Sequence, residues 1–168
     1  MSAPVSITDF DAAPVPDAAA ELYACCASKR WIATLLAERP YGRLATLAAT
    51  SDQVIARLDW PDVEEALAAH PRIGERLDGD GRDAAWSRQE QAGARLADVD
   101  TDNALREGNL AYEQRFGHVF LICATGRSAL DMLEALRSRL TNSVEMEQNV
   151  VRMELAKIVR LRLGKAFA

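Results

Sequence analysis

Apolar residues recur at every third or fourth position through most of this 168-residue sequence. Between 128 and 140, for example, the leucines are Leu130, Leu133, Leu136 and Leu140. This spacing places their side chains on one face of an α-helix, whereas a half-buried β-strand would require strict alternation. The composition agrees, because alanine and leucine are abundant and aromatic residues make up only 6% of the chain. We therefore predict an all-α fold.

Helix start and stop signals divide the chain into a bundle of about eight helices, which we assign to one domain spanning 1–168. The proline-rich stretch before 18 is expected to be a loop with a short turn at 8–10. A second loop is predicted at 74–83, and the apolar run 119–123 is compatible with either a buried strand or a helix start. The predicted helices are 18–27, 29–38, 41–58, 60–70, 84–96, 102–116, 128–140 and 142–162.

Capping residues support several of these boundaries. Ser28 and Asn142 are predicted N-caps, and Gly117 is a predicted C-terminal stop. The apolar residues of the last helix that we expect to face inward are Val150, Met153, Ile158 and Leu161.

The bulk composition excludes several classes of protein. A net charge of −5 argues against a nucleic-acid-binding face, which is usually basic. No apolar stretch approaches the roughly 20 residues that span a bilayer, and no secretory signal precedes the first helix. The odd number of cysteines, Cys25, Cys26 and Cys123, is typical of a reducing compartment. We therefore expect a cytoplasmic protein that binds neither nucleic acid nor membranes.

A histidine and a cluster of polar residues stand out as chemistry-bearing groups. His70 precedes a proline, so it lies on a loop or a helix end. Ser87, Glu90 and Gln91 follow at i, i+3 and i+4, which places them on one helix face. Together they supply a titratable base, a carboxylate, a hydroxyl and an amide for general acid–base chemistry. The alternative is a histidine that caps helix carbonyls beside a solvated helix face.

Other constellations are weaker. His118 follows Gly117 just past a predicted helix end, where a capping or surface histidine is the ordinary interpretation. No His-x-x-x-His or Cys-x-x-Cys pair is present, so we predict no metal site. Arg160 and Arg162 flank one leucine and point about 200° apart on a helix, so at most one of them can enter a shared pocket.

Three motifs in fixed order resemble one known family. They are His-Pro-Arg-Ile-Gly at 70–74, Ser-x-x-Glu-Gln at 87–91 and Asn-x-x-Tyr-x-x-x-Phe-Gly-x-x-Phe at 109–120. The chain thereby resembles the decarboxylases of 2-oxo-4-hydroxy-4-carboxy-5-ureidoimidazoline. Segments 25–31, 39–41 and 162–163 add weaker support.

The resemblance implies an all-helical enzyme of urate catabolism that releases carbon dioxide and forms (S)-allantoin without a cofactor. It implies that His70 and Glu90 are the catalytic pair, and that a ureidoimidazoline is the small-molecule substrate. A homodimer is compatible with this assignment. The residues implied to bind the substrate are Pro71, Ser87, Gln91, Phe120, Ile122 and Arg162.

The chain departs from the family at one point. The family often has an arginine near the start of the last helix, where this chain reads Asn-Ser-Val-Glu at 142–145. We assign the functional arginine to Arg162, because the Arg-Leu pair that closes the family pattern is retained at 162–163. The competing hypothesis is a non-catalytic helical module, either a purine-metabolite sensor or a scaffold for neighbouring enzymes.

Overall fold

The computed structural model describes residues 3–75 and 79–168. Within these ranges the chain forms nine α-helices and one 3₁₀-helix, and its only β-type pairing is a single bridge between Val5 and Phe167. The prediction of an all-α fold is confirmed. The helices are α1 Ile7–Ala12, α2 Val15–Cys25, α3 Lys29–Ala37, α4 Leu44–Arg57, α5 Trp60–Leu67, α6 Arg82–Glu90, the 3₁₀-helix Ala92–Leu96, α7 Val99–Phe116, α8 Ala129–Arg139 and α9 Val144–Ala166.

The Cα positions cluster into two compact units. The first comprises Met1–Ala66 and Leu155–Ala168, and the second comprises Leu67–Glu154. Of the loop predicted at 74–83, Arg76, Leu77 and Asp78 lie outside the described residues.

The first unit is built around the buried indole of Trp31. Its Nε1 donates a hydrogen bond to the Ser51 hydroxyl at 3.0 Å, and both residues are fully buried. A buried indole N–H needs such a partner, since leaving it unsatisfied would cost free energy. Ser28 caps α3 by accepting a hydrogen bond from the Trp31 backbone N–H at 3.3 Å, as predicted.

The N-terminal stretch corrects one prediction, because residues 7–12 form α1 rather than a loop with a short turn. The Ser6 side chain accepts from the Asp9 backbone N–H at 3.0 Å and so caps this helix. The prolines that suggested a loop lie on either side of α1, where they do not interrupt it. Phe10 is buried against Phe167, with ring centroids 4.8 Å apart.

The second unit packs α7 against α8 over a shared apolar core. Gly108 allows the close approach, because a Cβ there would lie 2.7 Å from Leu136 Cδ2. Gly117 ends α7 with φ +79°, a conformation that glycine adopts without strain. The buried core residues are Ile73, Ala94, Leu105, Tyr112, Phe120, Ile122, Ala124, Ala129, Met132, Leu133 and Leu136.

The inward face of two helices differs from the prediction. In α9 Met153 and Leu161 are 60% and 41% exposed, and on α8 Leu130 is 58% exposed. The reason in α9 is that Glu147, Glu154 and Arg162 are buried, so the inward face is shared with charged side chains.

The start and length of α9 also differ from the prediction. Ser143, rather than Asn142, caps α9, since its Oγ accepts from the Met146 N–H at 3.2 Å. The helix continues to Ala166, four residues beyond the predicted end at 162.

None of the helices in the described ranges is both long enough and apolar enough to cross a lipid bilayer.

Candidate active site

His70 lies in the turn that follows α5, as its neighbouring proline predicts. Its backbone N–H donates to the Leu67 carbonyl at 2.9 Å, and the residue is half-buried. The chain then runs through Pro71 to Gly74, whose φ of +85° suits glycine and strains most other residues. This short segment, 70–74, is called the histidine loop below.

Side chains from α7 and from the end of α6 hold the histidine loop in place. Arg72 pairs with Glu113 through two hydrogen bonds, Nε to Oε1 at 2.6 Å and Nη2 to Oε2 at 2.8 Å. This pairing raises the pKa of Arg72 above its usual value. Asn109 donates its amide N–H to the Ile73 carbonyl at 3.1 Å. Two consecutive residues of the loop are therefore anchored by side chains on successive turns of α7: Arg72 by Glu113, and Ile73 by Asn109.

The second predicted segment meets the histidine loop directly. Gln91 is the C-cap of α6, and its Oε1 accepts a hydrogen bond from the Gly74 N–H at 3.1 Å. Ser87 and Glu90 lie on the buried face of α6, with 5% and 9% of their surface exposed. The structure thus brings segments 70–74 and 87–91 together, with the hydroxyl and the carboxylate largely withdrawn from water.

The apolar run 119–123 is neither a strand nor a helix start, so both interpretations left open by the sequence are wrong. No helix or strand is assigned to these residues, and we call them the 119–123 segment. Phe120 and Ile122, both predicted to bind substrate, are 1% and 4% exposed and belong to the core of the second unit. The Cys123 N–H donates to Glu154 Oε2 at 2.7 Å.

A buried polar cluster lies beside this segment, and sequence reasoning missed it. Arg139 donates to Glu147 Oε1 from Nε at 2.8 Å and from Nη2 at 2.5 Å, and to the Leu121 carbonyl from Nη1 at 2.7 Å. The Tyr112 hydroxyl also donates to Glu147, and Asn142 donates to its other oxygen at 2.8 Å. The pKa of Tyr112 is raised well above its usual range, mainly by burial and secondly by the hydrogen bond to Glu147.

Only part of this cluster left a signal in the sequence. Tyr112 lies in the 109–120 motif, but Arg139 and Glu147 lie at positions that a hydrophobic pattern assigns to a solvated face. Their burial follows from tertiary packing, which no local pattern reports.

The two C-terminal arginines point in different directions, as their spacing predicts. Arg160 is exposed and pairs with Asp52, whose Oδ2 lies 3.2 Å from its Nε. Arg162 is 4% exposed and lies in the first unit. Burial raises the pKa of the nearby Cys26 thiol to about 11, an effect that the positive charge of Arg162 partly opposes.

His118 packs in an aromatic environment. Its Nδ1 lies 3.0 Å from the Val119 carbonyl, and its ring meets the Tyr112 ring edge-on at 5.4 Å. Across 3–75 and 79–168, no three His, Cys, Asp or Glu side chains are grouped as a metal ion would require. Cys25, Cys26 and Cys123 are all free thiols.

Comparison with known proteins decides the family. The family model described as OHCU decarboxylase, where OHCU abbreviates the ureidoimidazoline named above, matches residues 11–164. The chain belongs to this family. It is 33% identical over 127 residues to a 2-oxo-4-hydroxy-4-carboxy-5-ureidoimidazoline decarboxylase of Amia calva. The aligned region covers 74% of this chain and 73% of that protein.

Some relatives are longer than this chain, and the chain matches only part of their length. The chain is 30% identical over 148 residues to the Arabidopsis thaliana uric acid degradation bifunctional protein TTL, covering 86% of this chain. The match spans 45% of that protein, so the chain corresponds to about half of it.

Solved structures share the fold. A crystal structure of OHCU decarboxylase in the presence of (S)-allantoin superposes with a TM-score of 0.75 at 27% identity, covering 86% of this chain and 95% of that one. A crystal structure of (S)-allantoin synthase superposes with a TM-score of 0.71 at 20% identity, which shows the fold alone.

Proposed function

We propose that this protein is a carboxy-lyase that converts 2-oxo-4-hydroxy-4-carboxy-5-ureidoimidazoline to (S)-allantoin and carbon dioxide in urate degradation. The observation that carries the proposal is the match of the family model to residues 11–164. The hydrogen bond from Gly74 to Gln91 supports it, because it joins the two segments that hold the proposed catalytic groups. We assign 1–168 to one catalytic domain.

The reaction can proceed without a cofactor, because the substrate contains its own electron acceptor. The bond to the departing carboxylate breaks, and its electron pair moves into the ring toward the C=N nitrogen, which takes up a proton. The hydroxyl of the resulting enol then loses its proton as the neighbouring carbon gains one. (S)-Allantoin forms if that proton is delivered to one face only. The protein must therefore position the ring and manage protons.

The proposed roles follow the family resemblance residue by residue. His70 deprotonates the ring hydroxyl or directs protonation of the carbon, and Glu90 binds the ureido nitrogens or shares the proton. The near-complete burial of Glu90 supports this role, since a carboxylate withdrawn from water interacts more strongly with a ligand. Substrate contacts are proposed for Pro71, Ser87, Gln91, Phe120, Ile122 and Arg162.

The activity can be tested by generating the unstable substrate enzymatically in the assay mixture. Urate oxidase and hydroxyisourate hydrolase would generate it from urate, this protein would be added, and circular dichroism would follow (S)-allantoin. We expect optically active product to form faster than the spontaneous reaction. Racemic product at the spontaneous rate would contradict the proposal and favour a non-catalytic helical module.

Substitutions at the proposed catalytic pair test the roles separately. We expect His70→Ala and Glu90→Gln each to lower kcat by roughly 10²–10⁴-fold, the usual contribution of a positioned acid or base. The melting temperature serves as the control for folding. A His70→Ala variant with the full rate and full stereoselectivity would rule out its role.

We also propose that the protein is cytoplasmic and forms a homodimer. Leu96 and Val99, three positions apart and 88% and 75% exposed, are apolar side chains that we propose a second copy of the chain covers. Light scattering during size-exclusion chromatography should give twice the mass of one chain, and a monomer mass at micromolar concentration would contradict the dimer.

A further inference from the structure

The buried ion pair between Arg139 and Glu147 calls for an explanation other than stability. Glu147 is completely buried, and the Arg139 side chain is 9% exposed. Removing two charges from water costs free energy that their mutual attraction often fails to recover. Apolar side chains of similar volume would stabilise a core equally well. The pair is therefore better explained by what the guanidinium does beside Glu147.

Arg139 contacts the 119–123 segment in two ways. Its Nη1 donates to the Leu121 carbonyl at 2.7 Å, and its guanidinium lies over the Phe120 ring, 4.6 Å from the ring centroid. A guanidinium is planar and has donors on several sides, so it can bind Glu147 and Leu121 at once and still stack on an aromatic ring. A lysine ammonium cannot do all three, because it is a compact point charge.

Glu154 holds the same segment two residues further along. Its Oε2 accepts from the Cys123 backbone N–H at 2.7 Å, and only 7% of the residue is exposed. Leu121 and Cys123 are the neighbours of Ile122 in the sequence, so the contacts with Arg139 and Glu154 fix the chain on both sides of Ile122.

We propose that Arg139 and Glu154 are positioning residues: they fix the 119–123 segment, whose backbone N–H and C=O groups, as the family resemblance implies, hydrogen-bond the substrate ring. A backbone pair of this kind complements a planar ring that carries an adjacent N–H and C=O. The inference rests on the proposed function, which assigns Phe120 and Ile122 to substrate binding. Glu147, with Tyr112 and Asn142, holds the guanidinium in the orientation that this role needs.

The first test replaces Arg139 while keeping its charge. Arg139→Lys retains a cation opposite Glu147 but loses either the Leu121 contact or the stacking on Phe120. We expect KM for the substrate and Kd for (S)-allantoin to rise roughly tenfold, with kcat changed less than about twofold, the signature of lost ground-state binding. The matched control is Leu136→Ala, one turn earlier on α8, which should lower the melting temperature and leave Kd unchanged.

The second test uses Glu154, so that the outcome does not depend on one variant. Glu154→Gln keeps an oxygen that accepts from the Cys123 N–H, whereas Glu154→Ala removes it. We expect near wild-type Kd for (S)-allantoin in Glu154→Gln and a rise of roughly tenfold in Glu154→Ala.

Wild-type KM and Kd in Arg139→Lys, or equal Kd values in both Glu154 variants, would overturn the inference. If the wild-type protein neither forms nor binds (S)-allantoin, the proposed function itself has failed and this inference fails with it. A wild-type protein that is active, combined with unaffected variants, overturns the positioning role alone.

Discussion

Gln91 illustrates how one residue can serve both the fold and the site. Its Oε1 binds the Gly74 N–H at 3.1 Å, which leaves the two N–H groups of the same amide to contact a ligand. The backbone of Gln91 ends α6, while its side chain binds the histidine loop. A residue that joins two segments in this way should affect activity more than stability.

Substitution of Gln91 separates these contributions. Gln91→Met removes both the acceptor and the donors, and we expect kcat/KM to fall roughly 100-fold, since a small misplacement of catalytic groups has effects of that size. Gln91→Glu retains an acceptor for Gly74 and should lose only about tenfold. Steady-state kinetics with Gln53→Met, an exposed glutamine on α4, as control would check this. Full kcat/KM in Gln91→Met would contradict the role.

At the level of elements, α7 does more than fill the core. Asn109 and Glu113 are four residues apart, so both face the histidine loop from adjacent turns. Tyr112 lies between them and reaches the buried Glu147 instead. One helix thus supports the histidine loop and the cluster beside the 119–123 segment.

Reversal of the Arg72–Glu113 pair tests this support. Arg72 is 43% exposed but Glu113 only 21%, and two hydrogen bonds join them, so we expect Arg72→Glu to lower the melting temperature by a few degrees. We expect kcat/KM to fall about tenfold, because the histidine loop loses an anchor. The double variant Arg72→Glu/Glu113→Arg should recover most of the loss.

Arg106→Glu provides the control, because Arg106 is 73% exposed and pairs with Asp102 on the same helix. It should leave kcat/KM unchanged. A double variant as impaired as Arg72→Glu alone would show that the ion pair does not support the loop.

The helices themselves were largely predictable, because spacing and caps are local signals. Ser28 and Gly117 cap α3 and α7 as predicted. The errors lie in which face points inward, notably at Met153 and Leu161 of α9. A hydrophobic pattern assumes that charged residues face water, and that assumption fails where Glu147 and Arg162 are buried.

At the scale of the whole molecule, we expect the free energy of unfolding to depend on pH, because two aspartates cap helix N-termini. Hydrogen bonds from the backbone of Thr101 and Ser128 lower the pKa values of Asp98 and Asp131, respectively, below their usual value of 3.8. A carboxylate whose pKa is lowered by folding stabilises the native state above its unfolded pKa. That contribution is lost as the pH falls through the lowered native pKa.

The melting temperature should therefore decrease between about pH 5 and about pH 2. The double variant Asp98→Asn/Asp131→Asn should show a shallower decrease, because asparagine still caps a helix but does not titrate. Asp80→Asn, in an exposed loop, is the control and should reproduce the wild-type curve. A double variant with the wild-type slope would exclude these caps as a source of acid sensitivity.

The sequence by itself determined the helical class, most helix boundaries and the two segments that carry His70 and Glu90, because spacing, capping and motifs are written along the chain. Tertiary structure decided that Gln91 joins those segments, that Arg139 and Glu147 are buried beside the 119–123 segment, and that this segment is neither helix nor strand. These features depend on side chains distant in sequence. Their burial depends on the partners with which they pack, and local spacing does not indicate those partners.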